Sequence, residues 1–161
     1  MTTGTVNRVR RRRSRLLARD DSGAALIEFA LSAVVFLMTI LGTMEFGIAI
    51  WRYNMVSDLA QEGARWAAVH GLRSSAPANA GQVQTFIQNR ATGIQIASVN
   101  VSSPAGVTGV CNPTGPSVNP GTLLSGVGIC VTVSAVYQPL SGLIPQATMT
   151  LRSTAKMVMA R

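Results

Sequence analysis

The sequence predicts an α+β membrane-anchored protein: a long N-terminal transmembrane helix followed by a small exported domain with one short helix and about three antiparallel strands. Three observations carry this expectation. Seven arginines, Arg8, Arg10 to Arg13, Arg15 and Arg19, precede an apolar run that has no charge from Phe29 to Met44. The six acidic residues, Asp20, Asp21, Glu28, Glu45, Asp58 and Glu62, all lie within the first 62 positions. Beyond Gly93 the apolar residues stop recurring at helical spacing and begin to alternate, as they do along a strand with one buried face.

Residues 1–23 form a basic cytoplasmic leader. Half of the 14 basic residues of a chain with net charge +8 stand there. No aromatic is interleaved with them, which argues against a nucleic-acid-binding surface. A basic cluster flanking an apolar run marks the cytoplasmic end of a membrane helix and is drawn to anionic lipid. The transmembrane helix follows over 24–53. Continued past Glu45 to Ile50, the apolar run is long enough to cross a bilayer of ~30 Å. Trp51, Arg52 and Tyr53 close it with two rings and a snorkelling cation, groups that favour headgroup depth. At ~1.5 Å per residue, Glu28 and Glu45 are separated by roughly 25 Å along the helix axis.

The same helix continues over 54–71 as an amphipathic extension. Met55, Leu59, Trp66 and His70 supply its apolar side, Glu62 and Arg65 have the i,i+3 spacing of an ion pair, and Gly71 is placed to cap its end. Residues 72–161 form the small exported domain. Asn79 is positioned to cap a short helix carrying Val83, Phe86 and Ile87, which Gly93 ends. Strands are expected around Ile94 to Val101, Ile129 to Tyr137 and Thr148 to Val158. The Gly/Pro-rich segment from Ser102 to Gly128 is too long for a hairpin turn, a length associated with mobile loops.

Glu28 is the residue that most needs explaining. A charge deep in a bilayer costs ~2.5–3.5 kcal/mol on insertion scales, so an intramembrane carboxylate marks a functional position. Three readings of the leader and apolar run stand open: an uncleaved anchor, an export signal removed after the apolar core, and cleavage before that core. In the third reading Gly23 supplies the small residue at the scissile bond, and Glu28 becomes the fifth residue of the mature chain.

The order of basic leader, Gly23, Glu28, Phe29 and membrane helix resembles a type IV prepilin signal. Downstream, Glu45-Phe46-Gly47 and the block from Leu59 to Ala68 (LAQEGARWAA) resemble two recurring blocks of the TadE-like minor pseudopilins of the tight-adherence (Tad/Flp pilus) apparatus. The related TadF proteins share the helix and differ in their exported parts. The resemblance implies cleavage between Gly23 and Ala24 by a prepilin peptidase. It also implies a place in Flp-type pilus assembly beside other pilins and Tad assembly proteins. The chain would sit in the bacterial cytoplasmic (inner) membrane with its N-terminus cytoplasmic and its C-terminal domain periplasmic or extracellular. Glu28, with Phe29 beside it, would act in assembly. Cleavage creates an α-amine at Ala24, and pairing the Glu28 carboxylate with a neighbour's amine would offset the cost of burying both charges. The alternative is an uncleaved single-pass accessory or binding protein of a secretion complex.

The remaining candidates divide into packing and covalent roles. Glu45 could serve a subunit contact or lie solvated beside Arg52. Gly63, Ala64 and Arg65 belong to a small-residue stretch suited to close helix packing. Cys111 and Cys130 fit neither a CxxC redox motif nor a zinc pattern. In an oxidising compartment they would form a disulfide worth ~3 kcal/mol, against the alternative of two free thiols. His70 is the single histidine and fits a helix C-terminal role. With no carboxylate after Glu62, the chain has no nucleophile–base pair or ligand cluster. The expectation is therefore no enzyme, no cofactor, no metal, no nucleic acid and no small-molecule substrate.

Overall fold

The computed structural model describes residues 21–104, 108–139 and 148–160; of the expected leader, residues 1–20 with all seven arginines fall outside these, and 21–23 are already helical. Two compact units divide the chain, residues 1–44 and 45–161. In the first, the described residues form the N-terminal part of α1, a single helix running from Asp21 to Val69. It is one helix long and apolar enough to cross a membrane. Nothing in its sequence breaks it, because Pro77 is the first proline in the chain and Ala, Leu and Met recur throughout. Both threonine hydroxyls in its apolar part are absorbed by the helix itself: Thr39 donates to the Val35 carbonyl at 2.9 Å and Thr43 to the Ile40 carbonyl at 2.8 Å. Such back-bonding removes the need for an outside partner.

The second unit is an α+β domain built on the C-terminal part of α1. A short helix α2 (Ala80–Arg90) is started by a capping box, in which the Asn79 side chain accepts from the Gln82 amide and the Gln82 side chain accepts from the Asn79 amide. This reciprocal arrangement satisfies two amides that the first helical turn leaves without partners. Gly93 takes φ +76° just beyond the helix, a backbone state that side chains with a Cβ disfavour. Three strands follow, β1 (Ile96–Ser102), β2 (Gly128–Tyr137) and β3 (Met149–Val158). They form an antiparallel sheet in the order β1-β2-β3, with an irregularity between Ile96 and Ser98.

Central strand β2 is covered on both faces. Ile129, Val131, Val133 and Ala135 enter the core with Val56, Ala60, Ala64 and Ala67 of α1 and Val83 and Ile87 of α2. On the alternate positions, Cys130 is bonded to Cys111 across a Cα–Cα distance of 5.8 Å, and Thr132 meets Thr154 hydroxyl to hydroxyl at 2.9 Å. The long loop is held to the sheet rather than free. Asn100 donates to the carbonyls of Pro113 and Gly115, Ser102 donates to that of Asn112, and the Val118 amide donates to the Val101 carbonyl. A loop this long is anchored because a strand buried on both faces needs a second cover, and these contacts supply it.

Three local expectations are corrected. The most deeply buried stripe of α1 is made of small residues, Val56, Ala60, Gly63, Ala64 and Ala67, whereas Met55 and Trp66 lie at its margins. The short helix and the sheet pack so closely there that a Cβ on Gly63 would stand 2.6 Å from Ile87 Cδ1 of α2 and 3.4 Å from Val131 Cγ1 of β2. Gly71 does not take a left-handed capping conformation; it permits another close approach, since a Cβ there would meet Met159 Cε at 2.6 Å. Finally, Glu62 pairs with Arg90 of α2 at 2.9 Å rather than with Arg65. The tertiary fold brings a planar guanidinium to Glu62 from another helix.

Two measurements check this packing. Gly63→Val forces the buried Ile87 side chain aside and is expected to destabilise the domain by ~1–3 kcal/mol, read as a lower melting temperature of the detergent-solubilised chain. Without reductant, alkylation leaves the mass unchanged; after reduction and alkylation, stability falls by ~3 kcal/mol for a loop of this length.

Candidate functional site

Gly23, Ala24, Glu28 and Phe29 occupy consecutive turns near the start of α1. Ala24 and Glu28 are four residues apart and share one helix face. All four are exposed, and a Cβ at Gly23 would meet nothing within 4 Å. The apolar neighbours are equally bare: Leu26, Ile27, Phe29 and Leu31 leave 69–73% of their surface open. A continuous apolar surface of this kind is the mark of a membrane-facing or chain-facing element. Along it Glu28 is the one carboxylate between Phe29 and the acidic pair Asp20-Asp21.

The structure separates the other candidates from this group. Glu45 is half-buried, and its backbone carbonyl accepts from the Tyr137 hydroxyl at 3.3 Å. Arg52, also half-buried, places its guanidinium 5.3 Å from the centroid of the same tyrosine ring, within range of a cation–π attraction. Trp51 and Tyr53 flank it with about half their surface exposed. The last strand-end residue of β2 therefore ties down α1 where the sequence placed the membrane–water interface. Tyr137 carried no sequence signal for this, since its hydrogen bond spans 92 positions.

Gly63 and Ala64 lie inside the domain's own core, while Arg65 is exposed. Phe86 stacks on Trp66 at 5.1 Å between centroids, and Trp66 stacks on His70 at 4.1 Å. Arg90 covers Phe86 at 4.6 Å while bonding Glu62. The His70 Nδ1 donates to the Trp66 carbonyl at 2.7 Å, which assigns the proton to that nitrogen. His70 thus finishes the helix and has a structural place. Among the described residues, no three His, Cys, Asp or Glu side chains converge as a metal site would require.

Residues 23–65 match the family model described as TadE-like protein, a little over a quarter of the chain. No curated protein and no solved structure matches it. The matched segment takes in the exposed Gly23 to Phe29 group, the apolar run and the small-residue stretch, and ends before the sheet.

Because Glu28 and Phe29 are exposed, Glu28→Gln and Phe29→Ala are expected to leave the melting temperature of the purified chain unchanged, within the ~0.5 kcal/mol typical of surface changes. Thermal unfolding followed by circular dichroism checks this. Arg90→Ala, in contrast, removes an exposed ion pair with side chains 54% and 46% open. It is expected to cost under ~1 kcal/mol, with that cost shrinking as salt is raised.

Proposed function

We propose that this chain, TadE-like over residues 23–65, is a minor pseudopilin that takes part in assembling tight-adherence (Flp-type) pili. A prepilin peptidase cuts it between Gly23 and Ala24 on the cytoplasmic side of the inner membrane. The domain after Tyr53 then lies in the periplasm or outside the cell. The observation that carries the reading is the exposed Gly23 to Phe29 group at the head of the apolar, exposed part of α1. Cleavage turns the Ala24 nitrogen into an ammonium one turn from Glu28. Two such charges within hydrocarbon are stabilised by pairing across neighbouring subunits, Glu28 of one with Ala24 of the next. That contact also fixes the stagger between helices, so processing and assembly depend on one bond being cut.

A second reading, an uncleaved single-pass accessory or binding protein of a secretion complex, draws on the continuity of α1 through the Gly23–Ala24 peptide. N-terminal sequencing of the membrane-bound protein from cells with active peptidase separates the two. The expected first residue is Ala24; a Met1 or Thr2 start removes the pseudopilin reading. Glu28→Ala is expected to abolish co-purification with the other pilins. Should this variant still be cleaved and still bring down its partners, the pairing role of Glu28 is lost.

A further inference from the structure

Among the described residues, no further strand pairs with the outer edge of β3. Its outward groups follow from the hydrogen-bond parity. The Val101 carbonyl is taken by the Val118 amide outside the β1–β2 ladder, so Val101 and its partner Val131 point their backbone groups away from each other. Val131 therefore bonds to its β3 partner Ala155. The Met159 amide bonding the Val127 carbonyl has the same parity. Arg152, Thr154 and Lys156 consequently direct their amides and carbonyls outward. Among the described residues, no backbone group outside the sheet pairs with the Met149–Val158 strand.

The surroundings of this edge are cationic on both faces. Toward α1, a groove of about 320 Å³ opens between Ser57, Gln61 and Arg65 of the helix and the stretch from Ser153 to Met157. It remains open because Ser153 and Ala155 are small. On the other face stand Arg152 and Lys156. Lys156 spends one of its donors on the Gly109 carbonyl at 2.7 Å and keeps two more. No acidic residue occurs after Glu62, so this part of the chain has nothing to neutralise them.

We propose that this edge receives an extended acidic segment of another chain, which adds to β3 as a fourth strand and sets its carboxylates against Arg65, Arg152 and Lys156. A strand edge recruits any extended backbone, and side-chain charge decides which one. A second copy is disfavoured. If two β3 strands met antiparallel about Thr154, Arg152 of each would face Lys156 of the other, and like charges directly opposed destabilise a ladder. The basic leader of the chain itself fails for the same reason. The cations that keep copies apart thus select an acidic partner strand. This rests on the proposed assembly role only in naming why such a partner is needed.

The test uses the full chain in non-ionic detergent and two fluorescein-labelled decapeptides, (Val-Glu)5 and (Val-Lys)5, followed by anisotropy. Thr154→Pro removes an outward amide and leaves every charge in place. Thr154→Val removes only the hydroxyl bonded to Thr132. The (Val-Glu)5 peptide is expected to bind, with affinity falling at least ~tenfold in Thr154→Pro and in the Arg152→Glu/Lys156→Glu pair and holding in Thr154→Val. The (Val-Lys)5 peptide is expected not to bind. The proposal is overturned by absence of (Val-Glu)5 binding, by equal binding to Thr154→Pro, or by equal binding of (Val-Lys)5. It is also overturned by a doubled mass in light scattering that Thr154→Pro abolishes, which would give the edge to a second copy. Should Thr154→Pro fail to fold by circular dichroism, the charge-reversed pair decides, since it must lose (Val-Glu)5 and gain (Val-Lys)5. These readouts involve no cleavage or pilus, so their failure leaves the pseudopilin reading standing, and an uncut N-terminus in cells leaves the edge proposal standing.

Discussion

The close contact between the small-residue stripe of α1 and the valine-rich face of β2 is the constraint on which the folded domain depends. With Ala60, Gly63, Ala64 and Ala67 at the interface, the sheet and α2 can approach until Ile87 and Val131 fill the space a side chain at 63 would occupy. Dispersion contacts weaken steeply with separation, so a tight seat of this kind yields more per unit area than a loose one. It matters here because the domain is small and the Glu62–Arg90 ion pair, half-exposed, contributes little. Covering both faces of β2 compensates. The helices seal one face, and the loop held by Cys111–Cys130 and by Asn100 and Ser102 seals the other.

This arrangement gives α1 two different jobs along one continuous helix. From Gly23 to Met44 its side chains are almost all exposed and mostly apolar, and from Val56 to Ala68 one side of the helix enters the domain's core. Between these stretches Arg52 and Tyr137 clasp, beside exposed Trp51 and Tyr53. A polar-tipped aromatic and a cation with a long apolar stem suit an interface where water and hydrocarbon meet.

Charge is partitioned as sharply as hydropathy. Carboxylates end at Glu62 while cations continue to Arg161, and Glu62 is consumed by Arg90. The sheet and its loop consequently present uncompensated positive charge, which favours solubility and repels copies of the same domain. Glu28 stands apart from these, an exposed carboxylate beside the uncharged run from Phe29 to Met44 of α1.

The sequence by itself determined the long apolar helix, the N-cap at Asn79 and all three strands, the strands to within two residues at their ends. These depend on local patterns: an uninterrupted apolar run, a side chain that caps its own turn, and alternation along an extended chain. It also pointed to Gly23, Ala24 and Glu28 as a group, because their relation is a matter of spacing along one helix. Only the tertiary structure decided which face of the helix is core, since large apolar residues such as Met55 and Trp66 dominate the pattern while burial follows how closely the sheet can approach. The same holds for Arg90 as the partner of Glu62, Tyr137 as the clasp on Arg52, and β3 as the open edge. Each joins or exposes groups far apart in the chain, and no local propensity encodes such distances.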